Sequence, residues 1–172
     1  MAWWRSVRRL ATRTRKGGDA MGLDDVAAAL RECPVFRGVG DQRLRLVALS
    51  GETLRFDAGE TLFARGDDGE AAFVIVEGRV EVSVPARDGA QVLAVLHRGA
   101  LFGEIAALCD RPRTATATAA TPLTVLRLPS AALRRLLAEF HDVAIALIEV
   151  MASRLDAVNT SLAEGAAGRA DR

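Results

Sequence analysis

Two residues in the middle of this chain could do chemistry together: Glu104, directly after Gly103, and Arg113, nine residues later. Between them lie the apolar run Ile105-Ala106-Ala107-Leu108 and the segment Cys109-Asp110-Arg111-Pro112. A short helix starting near Glu104 directs unpaired backbone N–H groups at an anion such as a phosphate. Gly103 lets the backbone approach closely. Arg113 adds a charge-assisted, forked donor, and the Glu104 carboxylate can accept a hydrogen bond from a sugar hydroxyl. The spacing suits a small anionic ligand that carries a sugar. Each residue also has a structural role open to it. Arg113 could be a solvated loop arginine like Arg111, Glu104 a helix-start acid favoured by the dipole, and Gly103 a turn residue.

The elements that must position these groups are legible in the flanking patterns. Asp24-Asp25 before Val26-Ala27-Ala28-Ala29-Leu30 predict a helix that Pro34 interrupts. Asp41 is the expected N-cap of a second helix, which runs through Leu44, Val47 and Ala48 to Gly51. From Glu52 the period shortens, and strands are predicted near 52–56, 60–64, 71–76, 79–84, 91–96, 114–119 and 123–128. Asp88-Gly89 predicts a hairpin whose loop Pro85-Ala86-Arg87 lengthens. Many short, evenly spaced strands indicate a barrel or jelly roll. Helix returns at Ser130, the expected N-cap, and again from Asp142 to about Glu164, with a stop at Gly165. In that last helix Ile148, Met151, Leu155, Val158 and Leu162 form a 3-4-3-4 stripe. The stripe can pair two copies, or pack on the protein's own barrel.

The run FGEIAALCDRPRTAT over residues 102–116 resembles the phosphate-binding cassette of cyclic-nucleotide-binding domains. The upstream segment RFDAGETLFARGDDGEAAFVIVEGRVEVSV resembles the first half of that family's roll, with Gly59, Gly66 and Gly78 at the family's spacing. CPVFRGVGDQRLRLVAL resembles the helices before it, so the likeness runs from about residue 23 to 160. It implies a mainly β fold with flanking helices: a jelly-roll-like β-roll with N-terminal helices and a C-terminal lid or dimer helix. It implies that cyclic AMP or cyclic GMP is the ligand, with no metal. By the same likeness Arg113 meets the cyclic phosphate, Glu104 the ribose, and Gly103, Ile105 and Ala106 bring backbone to the phosphate. Thr114 contacts a phosphate oxygen or a guanine amine, and Ala115 and Ala117 keep the strand slim beside the ligand. Asn159 and Thr160 fall where the last helix meets the base. Phe73, Val84, Leu93, Val95 and Leu101 are candidate apolar walls, with plain core the favoured reading of each. Loss of Arg113 is expected to weaken binding and to change folding little.

The chain has 172 residues, half of them apolar, and a net charge near +1. Residues 1–20 carry six basic residues and one acid, which leaves 21–172 with 17 basic and 21 acidic residues. An acidic body is no broad nucleic-acid surface. No apolar run approaches the ~20 residues of a membrane span. Cys33 and Cys109 form no C-x-x-C pair, which fits a reducing cytoplasm. Three parts follow: a tail over 1–20, a domain over 21–164 and a disordered tail over 165–172. In 1–16, Trp3, Trp4, Val7, Leu10 and Ala11 share one face of a helix and Arg5, Arg8, Arg9, Arg13 and Lys16 take much of the rest. Such a segment suits an anionic membrane surface or a partner's groove. Alternatively it is a disordered tail, or an upstream start with Met21 as the real one. Transcription factors of the family carry a helix-turn-helix after the last helix, and here about ten residues follow, so no DNA binding is expected. No nucleophile–base triad appears, so the chain is not read as an enzyme. A cupin-like enzyme would need a histidine cluster, and His97 and His141 are far apart. A sensor acting on an effector protein is the leading reading, and a roll that only docks a partner is the alternative.

Overall fold

The computed structural model describes residues 22–170, with 161–170 as helical backbone. The basic segment at 1–16 and the side chain of Leu162 lie outside the described residues. Helix α1 spans Leu23–Glu32, and its Asp25 carboxylate accepts the Gly22 N–H at 3.0 Å. It ends before Pro34, where a 3₁₀ turn over Pro34–Phe36 buries Val35 and Phe36. Helix α2 covers Asp41–Leu49. Its N-cap is Gly40 rather than the expected Asp41, because the Asp41 carboxylate is held by the Arg31 guanidinium at 2.7 Å.

Eight strands follow: β1 Glu52–Phe56, β2 Thr61–Phe63, β3 Ala71–Glu77, β4 Val80–Ala86, β5 Gly89–Leu96, β6 Leu101–Phe102, β7 Thr116–Ala119 and β8 Leu123–Pro129. They form two antiparallel sheets in the orders β1-β8-β3-β6 and β2-β7-β4-β5. This is the β-roll with flanking helices that the sequence implied. The unpredicted strand is β6, whose two residues are too few to show a period; Phe102 pairs with Phe73. The β4–β5 hairpin is tighter than expected. Ala86 pairs with Gly89, so only Arg87 and Asp88 form the loop, and Gly89 supplies a φ of 120°. Pro85 is tolerated inside β4 because β7 reaches only to Ser83.

Strand β3 is buried on both faces from Ala71 to Val76. Its period of two divides the core. Ala72, Val74 and Val76 pack with Leu30, Phe36, Leu44 and Leu133 of the helices. Ala71, Phe73 and Ile75 pack inside the roll with Phe102, Leu123 and Val125. Three helices complete the chain: α3 Glu104–Cys109, α4 Ser130–Glu139 and α5 His141–Ala170. Pro129, not Ser130, caps α4, and the Ser130 hydroxyl donates instead to the Gly69 carbonyl at 3.3 Å. Helix α5 continues past Gly165 to Ala170, so residues 165–170 are helix and not the tail expected from the glycine. A glycine costs a helix only about 1 kcal/mol, and alanines surround this one.

Candidate functional site

Helix α3 starts from a glycine because its geometry admits little else. Gly103 has a φ of 70° and a ψ of 7°, in the left-handed region. A Cβ there would sit 2.7 Å from Arg113 Nη1. The backbone thus turns sharply from β6 into α3 directly against the arginine. Glu104 follows as the first helical residue, and only 2% of it is exposed.

Arg113 is equally buried, at 5% exposure. Its Nη1 donates to the Gly103 carbonyl and its Nη2 to the Ala71 carbonyl, both at 2.7 Å. The guanidinium carbon lies 4.2 Å from the centroid of the Phe63 ring and 5.6 Å from that of Phe73. Its backbone is fixed too: the Arg113 N–H donates to the Asp67 carbonyl and the Gly66 N–H to the Arg113 carbonyl. Among the described residues, Nε of Arg113 is a buried donor with no partner. Burial lowers the guanidinium from its ordinary value to about 10; Asp67 opposes that shift and Arg127 adds to it.

The Glu104 carboxylate is met from the other end of the chain. Arg154 of α5 donates from Nη1 to Glu104 Oε1 at 2.7 Å and from Nη2 to the Leu101 carbonyl at 2.6 Å. The Glu104 side chain is 3% exposed and that of Arg154 42%. A cation at this place compensates an otherwise costly buried carboxylate.

A cleft of about 410 Å³ opens between the roll and α5. Gly103, Glu104, Ile105, Ala106, Arg113, Thr114 and Ala115 all line it. Its apolar side comes from Phe63, Val82, Leu93, Ala94, Leu96 and Phe102, and α5 closes it with Arg154, Ala157 and Val158. Asn159 is exposed and does not line the cleft. A helix advances 100° per residue, so the face that presents Arg154, Ala157 and Val158 turns its neighbour Asn159 aside. Of the five expected walls only Leu93 is present. Phe73 packs inside the roll and Leu101 against the helices; Val95 alternates away from Ala94 and Leu96.

Arg154 is the functional candidate that sequence reasoning missed. Val143, Leu147 and Val150 turn toward the core at spacings of four and three, and Arg154 falls four residues on in the same phase. An arginine at a buried phase of a helix requires an anion or carbonyls to meet it. That signal was present, but it did not say which carboxylate. Half the pairing stripe is also occupied within the chain: Met151 packs against the core and Val158 lines the cleft, while Ile148 and Leu155 stay exposed. Among the described residues, no group of three or more His, Cys, Asp and Glu side chains is placed to hold a metal. No described helix is long and apolar enough to cross a membrane.

The sequence model of the cyclic nucleotide-binding domain matches residues 53–140. A CRP-like cAMP-activated global transcriptional regulator of Mycobacterium tuberculosis is 29% identical over 143 residues, covering 83% of this chain and 62% of the regulator. The catabolite activator protein of Thermus thermophilus superposes with a TM-score of 0.70 at 28% identity, covering 75% of this chain and 61% of that one. The cAMP-bound regulatory domain of Toxoplasma gondii protein kinase A gives a TM-score of 0.61 at 25% identity, covering 69% and 46%. This chain spans less than two thirds of each of these three proteins. With the roll and the Gly103–Arg113 segment at the family's spacing, the chain belongs to the cyclic nucleotide-binding domain family.

Proposed function

We propose that this chain is a cyclic nucleotide sensor that binds cyclic AMP in the cleft and signals to a partner protein through α5. The observation that carries the reading is the lone buried Nε donor of Arg113, a residue that lines the apolar cleft beside the start of α3. A buried charged group without its full set of partners is a standing cost, and a phosphate oxygen relieves it. The N–H groups of Ile105 and Ala106, in the first turn of α3, add donors to the same oxygens.

Glu104 takes the ribose. Arg154 engages Oε1, which leaves Oε2 to accept a hydroxyl hydrogen. The purine lies along Phe63, Val82, Leu93 and Leu96, a surface that offers area and no hydrogen bonds. Thr114 also lines the cleft, and its hydroxyl can serve either purine. Cyclic AMP is preferred because the relatives are named for it. The reading is of a binding module, not of a catalyst.

Signal transfer rests on the shared carboxylate. Ribose binding at Glu104 and α5 docking through Arg154 use the same group, so occupancy changes what holds α5 in place. Calorimetric titration with cyclic AMP and with cyclic GMP tests the reading. Saturable binding of cyclic AMP, weaker for its 2′-deoxy form, supports it. No heat with either nucleotide, from protein shown to be folded, would leave the roll as a docking module.

A further inference from the structure

The outward face of α5 has no partner among the described residues and carries a definite chemical signature. Ile145, Ile148, Leu155 and Val158 are 58%, 66%, 61% and 55% exposed. Beside this apolar line run Asp142, Glu149 and Asp156, seven residues apart and all exposed. The one basic residue of α5 between 142 and 160 is Arg154, and it is engaged by Glu104. The face therefore fits a partner with an apolar stripe edged by positive charge.

The chain itself contains such a segment. Trp3, Trp4, Val7, Leu10 and Ala11 fall on one helical face, and Arg5, Arg8, Arg9, Arg13, Arg15 and Lys16 fall around the rest. The reach suffices. Residues 17–22 span ~20 Å when extended, and α1, which they lead into, is about 15 Å long at 1.5 Å per residue. The far end of α1 leads into the 3₁₀ turn on which α5 packs.

We infer that residues 1–16 dock on the outward face of α5, with the tryptophans over Ile148 and Leu155 and the arginines along Glu149 and Asp156. A second copy is a poorer match, since its α5 presents the same acidic line and, over residues 142–160, only Arg154, which Glu104 engages. Docking here places the segment at the rim of the cleft, because Val158 belongs both to this face and to the cleft wall. The proposal does not depend on nucleotide binding.

The test uses a property of the composition: Trp3 and Trp4 are the only tryptophans, and the chain has no tyrosine. Intrinsic emission of the full chain therefore reports on this segment alone. The expected result is blue-shifted emission, poorly quenched by acrylamide, unchanged on dilution and weakened by high salt. Two variants, Ile148→Ser with Leu155→Ser and Glu149→Lys with Asp156→Lys, should each shift emission to the red. Each should also raise the quenching constant several-fold, with far-ultraviolet circular dichroism unchanged. Tryptophans fully quenched in the wild type and indifferent to both variants would overturn the proposal. Protection lost on dilution would do the same and name a second copy as the occupant. Protection that develops only with anionic phosphatidylserine vesicles would overturn it in favour of a membrane surface.

Discussion

Arg154 Nη1 lies 2.7 Å from Glu104 Oε1 across 50 residues of sequence, and that pair joins α3 to α5. Glu104 opens α3 at the cleft wall, and Arg154 sits midway along the helix that closes the cleft. The pair is lopsided: the carboxylate is buried and the guanidinium half-exposed. Its removal therefore differs by end. Loss of the arginine strands a buried charge, and loss of the glutamate leaves a cation that can turn to water.

Arg154→Ala should lower stability by about 1–3 kcal/mol, less than the cost of breaking a fully buried pair because Arg154 is partly solvated. Nucleotide should still bind, since the phosphate contacts remain. Urea denaturation with and without cyclic AMP checks both halves. An unchanged midpoint would mean the pair carries no energy in solution.

Arg113→Ala should cost about 2–4 kcal/mol in nucleotide affinity, the range for losing one partner of a buried charge pair. The structure adds a consequence that contradicts the sequence-based expectation of unchanged folding. The guanidinium ties the Gly103 and Ala71 carbonyls together, so the variant should also lose roughly 2–3 kcal/mol of stability in the absence of ligand. Calorimetry and thermal unfolding separate the two effects. A variant as stable as wild type would reduce Arg113 to a ligand contact alone.

How much of this was visible in the sequence follows from distance along the chain. Gly103, Glu104 and Arg113 were legible because they fall in one contiguous run, residues 102–116, that resembles a known cassette, although Arg113 is held by Ala71, Phe63 and Phe73 far upstream. The strands of the roll were legible from their period, apart from Leu101–Phe102, which is too short to have one. Arg154 was not, because its partner lies 50 residues away. Asn159 lies one residue past Val158 in helical phase, which leaves its side chain exposed beside the cleft lining. The capping roles expected of Asp41 and Ser130 failed because tertiary partners, Arg31 and the Gly69 carbonyl, claimed those side chains.

The Arg113 contribution to affinity should depend on pH on the alkaline side. Burial holds the free guanidinium of Arg113 at about 10. A bound phosphate favours its charged form and raises that value again. Binding therefore takes up a proton once the solution passes about pH 10, and affinity falls by up to tenfold per pH unit there. Between roughly pH 7 and 9 the guanidinium stays charged in both states, so this group contributes no slope. Titrations of wild type against Arg113→Ala over that range isolate the effect. Parallel profiles for the two proteins would remove Arg113 as the titrating group.

Amide hydrogen exchange over residues 142–164, with and without saturating cyclic AMP, tests the central claim most directly. That claim is that nucleotide at Glu104 changes the hold of the cleft on α5. Exchange in α5 and in α3 should slow on binding, more than in β1 and β8, none of whose residues line the cleft. Unchanged protection of 142–164, with the nucleotide demonstrably bound, would contradict it.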